Sequence, residues 1–95
     1  MKKLIFFLFI TCSNLAFSQL NIDYYMRVGE TRIQIGNYVG AIENFNIVIR
    51  FKPHLPEPYY YRGLAKHQLE DFRGAINDYN KAIEIKPFYP EALVS

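Results

Sequence analysis

The residues of this chain that could do chemistry are few and poorly spaced for it. His54 and His67 stand far apart, with no cysteine beside them and no carboxylate at ligand spacing, so a zinc site is not expected. Glu70-Asp71 has the composition of an acid pair, yet adjacent side chains diverge and these two fall at a turn, where helix capping is the simpler task. Gly36, Gly40, Gly63 and Gly74 occur singly and never form a phosphate-cradling loop between a strand and a helix. The single cysteine, Cys12, lies in an apolar N-terminal stretch, so the rest of the chain has no thiolate nucleophile, sulfur ligand or disulfide. These residues predict a chain that is not an enzyme and uses no cofactor or metal.

What must position any functional surface is a repeat. Shifted by 34 residues, the chain falls on itself without a gap, and Tyr25 meets Tyr59, Gly29 meets Gly63, Gln34 meets Gln68, Gly40 meets Gly74 and Ala41 meets Ala75. Ile42 and Ile76, Asn46 and Asn80, Ile49 and Ile83, Lys52 and Lys86, and Pro53 and Pro87 pair in the same register. A fixed period of this size is the mark of a solenoid.

Within each copy the apolar spacing is helical. Asp23 is placed to cap a first helix reaching about Ile35, and Gly36-Asn37 supplies the left-handed backbone that ends it. A second helix runs from Tyr38 to about Phe51, with Tyr38, Ala41, Ile42, Phe45, Val48 and Ile49 on one face, and Pro53 stops it. Pro56-Glu57-Pro58 opens a third helix to Leu69, because proline is tolerated in a first turn. Asp71 then caps a fourth from Phe72 to Ile85, whose face of Phe72, Ala75, Ile76, Tyr79, Ala82 and Ile83 repeats that of the second.

Tyr59, Gly63, Ala75, Tyr79, Ala82 and Pro87, with Tyr25, Gly29, Ala41, Phe45, Val48 and Pro53 at the same places in the first copy, give the chain its likeness. It resembles the tetratricopeptide repeat family. The resemblance implies an all-α, right-handed solenoid of helix-turn-helix units, with repeats at 22–55 and 56–89 and the start of a truncated third at 90–95. The chain departs from the family pattern at Arg62, where leucine is usual, at Arg32 and Lys66, where an aromatic is common, and at Val48. Gly29 and Gly63, facing Ala41 and Ala75, are expected to notch the paired helices so that their axes approach.

The resemblance also implies a function. In this family the first helix of each repeat lines a concave groove, and the positions carried over are Met26, Glu30, Ile33 and Gln34 from the first copy and Tyr60, Leu64, His67 and Gln68 from the second. The implied role is a protein-protein interaction scaffold that takes a protein or peptide segment there. The lining lacks the Lys and Asn pattern with which some members clamp a C-terminal carboxylate. The alternatives are a small-ligand or glycan binder stacking sugar on Tyr60 and Tyr61, or the leading piece of a larger envelope protein.

The N-terminus predicts where this happens. Met1, Lys2 and Lys3 form a basic start, Leu4 to Ile10 is unbroken apolar chain, and Ala16-Phe17-Ser18 offers small residues before Gln19, the pattern of a signal peptide over 1–18. Export to the periplasm or the exterior is expected, with lipidation of Cys12 as the alternative and no stable membrane span, since that needs about 20 apolar residues. Of the 11 Lys and Arg, two lie in this leader, so the remainder is balanced against 9 Asp and Glu and offers no basic surface for nucleic acid.

Two further expectations concern exposed apolar faces. Val39 and Ile47 stand where the second copy has Arg73 and Lys81, which leaves one side of the second helix in need of cover. The last hairpin is expected to leave Tyr79, Ile83 and Tyr89 without a covering helix, because six residues from Pro90 to Ser95 cannot hold a helix alone. Marginal stability or self-association through that end follows, as does the reading of the chain as a piece of a longer repeat protein.

Overall fold

The computed structural model describes residues 21–88 and 90–93. The expected signal peptide, Cys12 and Tyr89 lie outside the described residues. Helix α1 covers 21–34, and α2 (Tyr38–Phe51), α3 (Pro56–Gln68), α4 (Phe72–Ile85) and α5 (Pro90–Leu93) follow, with no strand among the described residues. The fold is all-α, a run of helix-turn-helix units in which α3 packs on both α2 and α4 and α5 packs on α4.

Asp23 is not the cap expected of it, since the chain is already helical at residues 21 and 22. Ile22 is only 7% exposed, and burying it holds this turn in the helix in spite of the capping signal that follows. The other boundaries fall within a residue of the expected ones.

Both hairpin turns are built alike. At the end of α1 the Gly36 N–H donates to the Ile33 carbonyl at 3.1 Å and the Asn37 N–H to the Arg32 carbonyl at 2.7 Å, around a Gly36 φ of 85°. This is the Schellman arrangement, which satisfies the last carbonyls of a helix. At the end of α3, Glu70 donates to His67 at 2.9 Å and Asp71 to Lys66 at 2.8 Å, with Glu70 at φ 65°. The residue closing each turn then caps the next helix: Asn37 Oδ1 accepts from the Gly40 N–H and Asp71 Oδ1 from the Gly74 N–H, each at 3.1 Å.

The hairpins close on the expected notches. A Cβ on Gly29 would stand 2.7 Å from the Phe45 ring, and one on Gly63 would stand 2.8 Å from the Tyr79 ring, so only a hydrogen fits beneath each aromatic. Phe45 is wholly buried with Ala41 and Ala65, against Met26, Ile33, Tyr38, Ile42 and Tyr61. Tyr79 is buried with Tyr59, Ala75, Ala82 and Ala92, against Ile49, Tyr60, Leu64, Ile83 and Ile85. Among the described residues two clusters thus follow one another along the array, one beneath each aromatic of the α2 and α4 helices.

The expected bare ridge is displaced. Tyr79 is 4% exposed and Ile83 half-buried, because α5 lays Ala92, 3% exposed, against them. α5 is short, but it forms on an apolar surface and so does not carry the nucleation cost of an isolated helix. The open part lies one turn earlier, where Phe72 is 52% and Ile76 53% exposed. Their counterparts Tyr38 and Ile42 are half-buried against the cluster that holds Tyr61 and Ala65 of α3. Among the described residues α5 has no equivalent of those two.

Candidate interaction groove

The three polar departures from the family pattern are explained by two buried partners. Asn44 and Asp78 occupy equivalent positions inside α2 and α4, and each is 4% exposed. Asn44 donates from Nδ2 to the Tyr25 carbonyl at 3.0 Å and accepts from Arg32, which also reaches the Gly40 carbonyl at 3.3 Å. Asp78 takes both arms of Arg62, at 2.9 and 2.7 Å, and the Lys66 ammonium at 3.1 Å. A forked guanidinium on a carboxylate is the strongest common form of this contact. Arg62 then reaches Asn46 of α2 at 2.8 Å, which ties one repeat to the next, and its guanidinium lies 5.7 Å from the Tyr59 ring centroid. A second tie between repeats is the Tyr59 hydroxyl, which donates to the Pro53 carbonyl at 3.0 Å.

These contacts hold the cations of α3 away from the other side of the helix, where α1 and α3 bound a depression of about 450 Å3. Arg27, Glu30, Thr31, Ile33 and Gln34 line it from α1, and Tyr61 and Leu64 from α3. Arg27 and Tyr61 are repeat equivalents, as are Glu30 and Leu64, so matching positions of two successive helices face one space.

Tyr61 forms part of its floor. Its ring stacks on Phe45 with centroids 5.7 Å apart and planes 16° from parallel, and its hydroxyl donates to the Glu30 carboxylate. That hydrogen bond first, then burial, then the negative charges of Glu30 and Glu57, push the phenol up to about 12, because each disfavours a phenolate.

Of the positions carried over from the sequence, Glu30, Ile33, Gln34 and Leu64 come together in this depression. Met26 packs against the Phe45 cluster. Tyr60 turns toward the last helices, with its ring 5.9 Å from Tyr79, and its phenol is raised by burial and by the charges of Tyr79 and Glu91. His67 is exposed and meets Phe72 edge-on at 5.2 Å, and Gln68 is exposed. Arg27 and Thr31 are lining residues that the sequence reading did not name, and Tyr61 was named only as a platform for sugar. The signal for them was available, since 27, 30, 31 and 34 form a single stripe at helical spacing.

A second cavity, of about 250 Å3, lies between Asn21, Ile22 and Tyr25 of α1 and Ile47 and Phe51 of α2. Ile47 is half-buried there, whereas Val39 is 59% exposed. Among the described residues no three His, Cys, Asp or Glu side chains gather as a metal site, and no helix is long and apolar enough to cross a membrane.

Residues 56–89 match the tetratricopeptide repeat family. No curated protein matches the chain. Among solved structures it is similar to the TPR2B domain of yeast Sti1 in complex with pHsp70, at 25% identity and a TM-score of 0.76 over 79% of this chain and 60% of that one. It is also similar to the TPR2AB domain of yeast Sti1 in complex with pHSP90, at 26% identity and a TM-score of 0.75 over 78% of this chain and 29% of that one. A double mutant of MamA RS-1 shares the fold at 21% identity, with a TM-score of 0.71 over 76% of this chain and 40% of that one. The chain therefore spans less than two thirds of each of these structures. Residues 56–89 are therefore a tetratricopeptide repeat, set in an array of hairpins whose fold is similar to that of these tetratricopeptide repeat domains.

Proposed function

We propose that the chain is a non-enzymatic scaffold that holds a segment of a partner protein in the depression between α1 and α3, and that it works outside the cytoplasm after loss of residues 1–18. The observation that carries the reading is the depression itself, lined by equivalent positions of successive repeats and backed by a close-packed core. The solved complexes of yeast Sti1 with pHsp70 and pHSP90 support it by similarity of fold. A glycan platform is less well supported, because Tyr61 already lies on Phe45 and Tyr60 against Tyr61 and Tyr79.

Photocrosslinking tests the groove. A photoreactive side chain at Gln34 or Leu64 should capture a defined partner from envelope extract, while one at the exposed Glu84 on α4 should not. Equal capture from both faces would refute the assignment. Mass spectrometry of the exported N-terminus tests the location, with Gln19 as the expected first residue and a lipid on Cys12 as the contrary result.

A further inference from the structure

We infer that the depression between α1 and α3 seats one cationic side chain, a lysine or arginine, of the bound protein segment, with Glu30 receiving the charged head and Ile33 and Leu64 flanking the stem. The inference rests on the scaffold reading above and gives its occupant a chemistry. Glu30 lines the depression and accepts from the Tyr61 hydroxyl, and it takes part in none of the ion pairs among the described residues. A carboxylate has about four acceptor sites, so one phenol leaves most of them open.

The surrounding charges point the same way. Glu57 adds a smaller negative influence at Tyr61, and Arg27 is the one cation among the described residues lining the depression. Arg62 and Lys66, which could have reversed that balance, are held on Asp78. An acidic segment would meet Glu30 as a like charge, and a purely apolar one would cover it without compensation. Lysine and arginine satisfy both parts of the site, because their methylene stems lie along apolar walls while the head stays with a polar partner. The volume, about 450 Å3, falls within the roughly 300–1,000 Å3 usual for a specific pocket.

A displayed library of random dodecapeptides, selected on the full chain, tests this. The selected peptides should share one lysine or arginine beside an apolar residue. In a synthetic copy, replacing that residue by norleucine should weaken binding about tenfold, as expected for loss of a charge-assisted hydrogen bond. The same replacement should cost little more once Glu30→Gln has been made, whereas Glu43→Gln, an exposed charge on α2, should leave the full difference. Peptides without a shared cation, or a norleucine penalty that survives Glu30→Gln, would overturn the inference and leave the scaffold reading standing. Selection of nothing above bare matrix would overturn both. The norleucine comparison on the unaltered chain keeps the test decisive even if Glu30→Gln fails to fold.

Discussion

Arg62 and Lys66 leave α3 one helical turn apart and end on the same carboxylate, which sits inside the apolar face of α4 between Ala75, Tyr79 and Ala82. A carboxylate at that depth is tolerated because its oxygens are taken by a forked guanidinium and an ammonium, and removing it would leave both cations facing the core. Asp78→Ala should therefore cost about 2–4 kcal/mol in urea unfolding, while Asn80→Ala, on the exposed side of α4, should stay within about 0.5 kcal/mol. Tyr61 gives a second test at this scale. Folding raises its pKa from 10.0 to about 12, so its contribution is fully present below pH 10 and is lost as the pH rises through about 12. Glu30→Ala removes both the hydrogen-bond acceptor and the charge and should bring the Tyr61 ring titration, followed by NMR, down toward 10. A Tyr61 that titrates at the same pH in both proteins would mean that the hydroxyl does not donate to Glu30.

At the scale of the element, the two hairpin turns differ at one informative place. Gly36 adopts φ 85° at no steric cost, but Glu70 holds φ 65° with a Cβ that crowds the following carbonyl, which costs roughly 1–2 kcal/mol. The Schellman bonds and the Asp71 cap hold it there. Glu70→Gly should raise the thermal midpoint, by about 0.5–1 kcal/mol of stability once the greater freedom of glycine in the unfolded chain is allowed for. A lower midpoint would show that the Glu70 side chain contributes something that its exposed position does not suggest. Helices of this kind were legible in the sequence because each is bounded by a local signal: Asn37, Asp71, Pro53 and the Pro56-Glu57-Pro58 start. Asp23 misled because burial of Ile22 is a tertiary fact that no local signal contains. The groove was legible only in part for the same reason. Helical spacing places Glu30 and Leu64 together on equivalent faces, but the rotation that puts Tyr61 rather than Tyr60 into the depression depends on the Phe45 ring it stacks upon. Arg62 and Lys66 read as departures until Asp78, one turn along the apolar face of another helix, was seen to receive them.

At the scale of the whole molecule, the repeat makes an internal control, because equivalent side chains occupy unequal surroundings. Ile42 is half-buried against the cluster of Ala41, Phe45 and Ala65, while Ile76, 34 positions on, is 53% exposed beside Phe72. If stability follows burial, Ile42→Ala should cost about 2 kcal/mol or more and Ile76→Ala less than about 1 kcal/mol, since little apolar area is there to be lost. The comparison also bears on self-association. A second copy covering α4 would bury Phe72 and Ile76 and give Ile76→Ala a cost that grows with protein concentration, as mass action requires. Thermal melts of both variants across a hundredfold concentration range separate the cases. A small, constant cost for Ile76→Ala means that this ridge stays open in solution and the two repeats with α5 suffice. A cost that climbs toward that of Ile42→Ala means that the exposed ridge of α4 is the contact between copies.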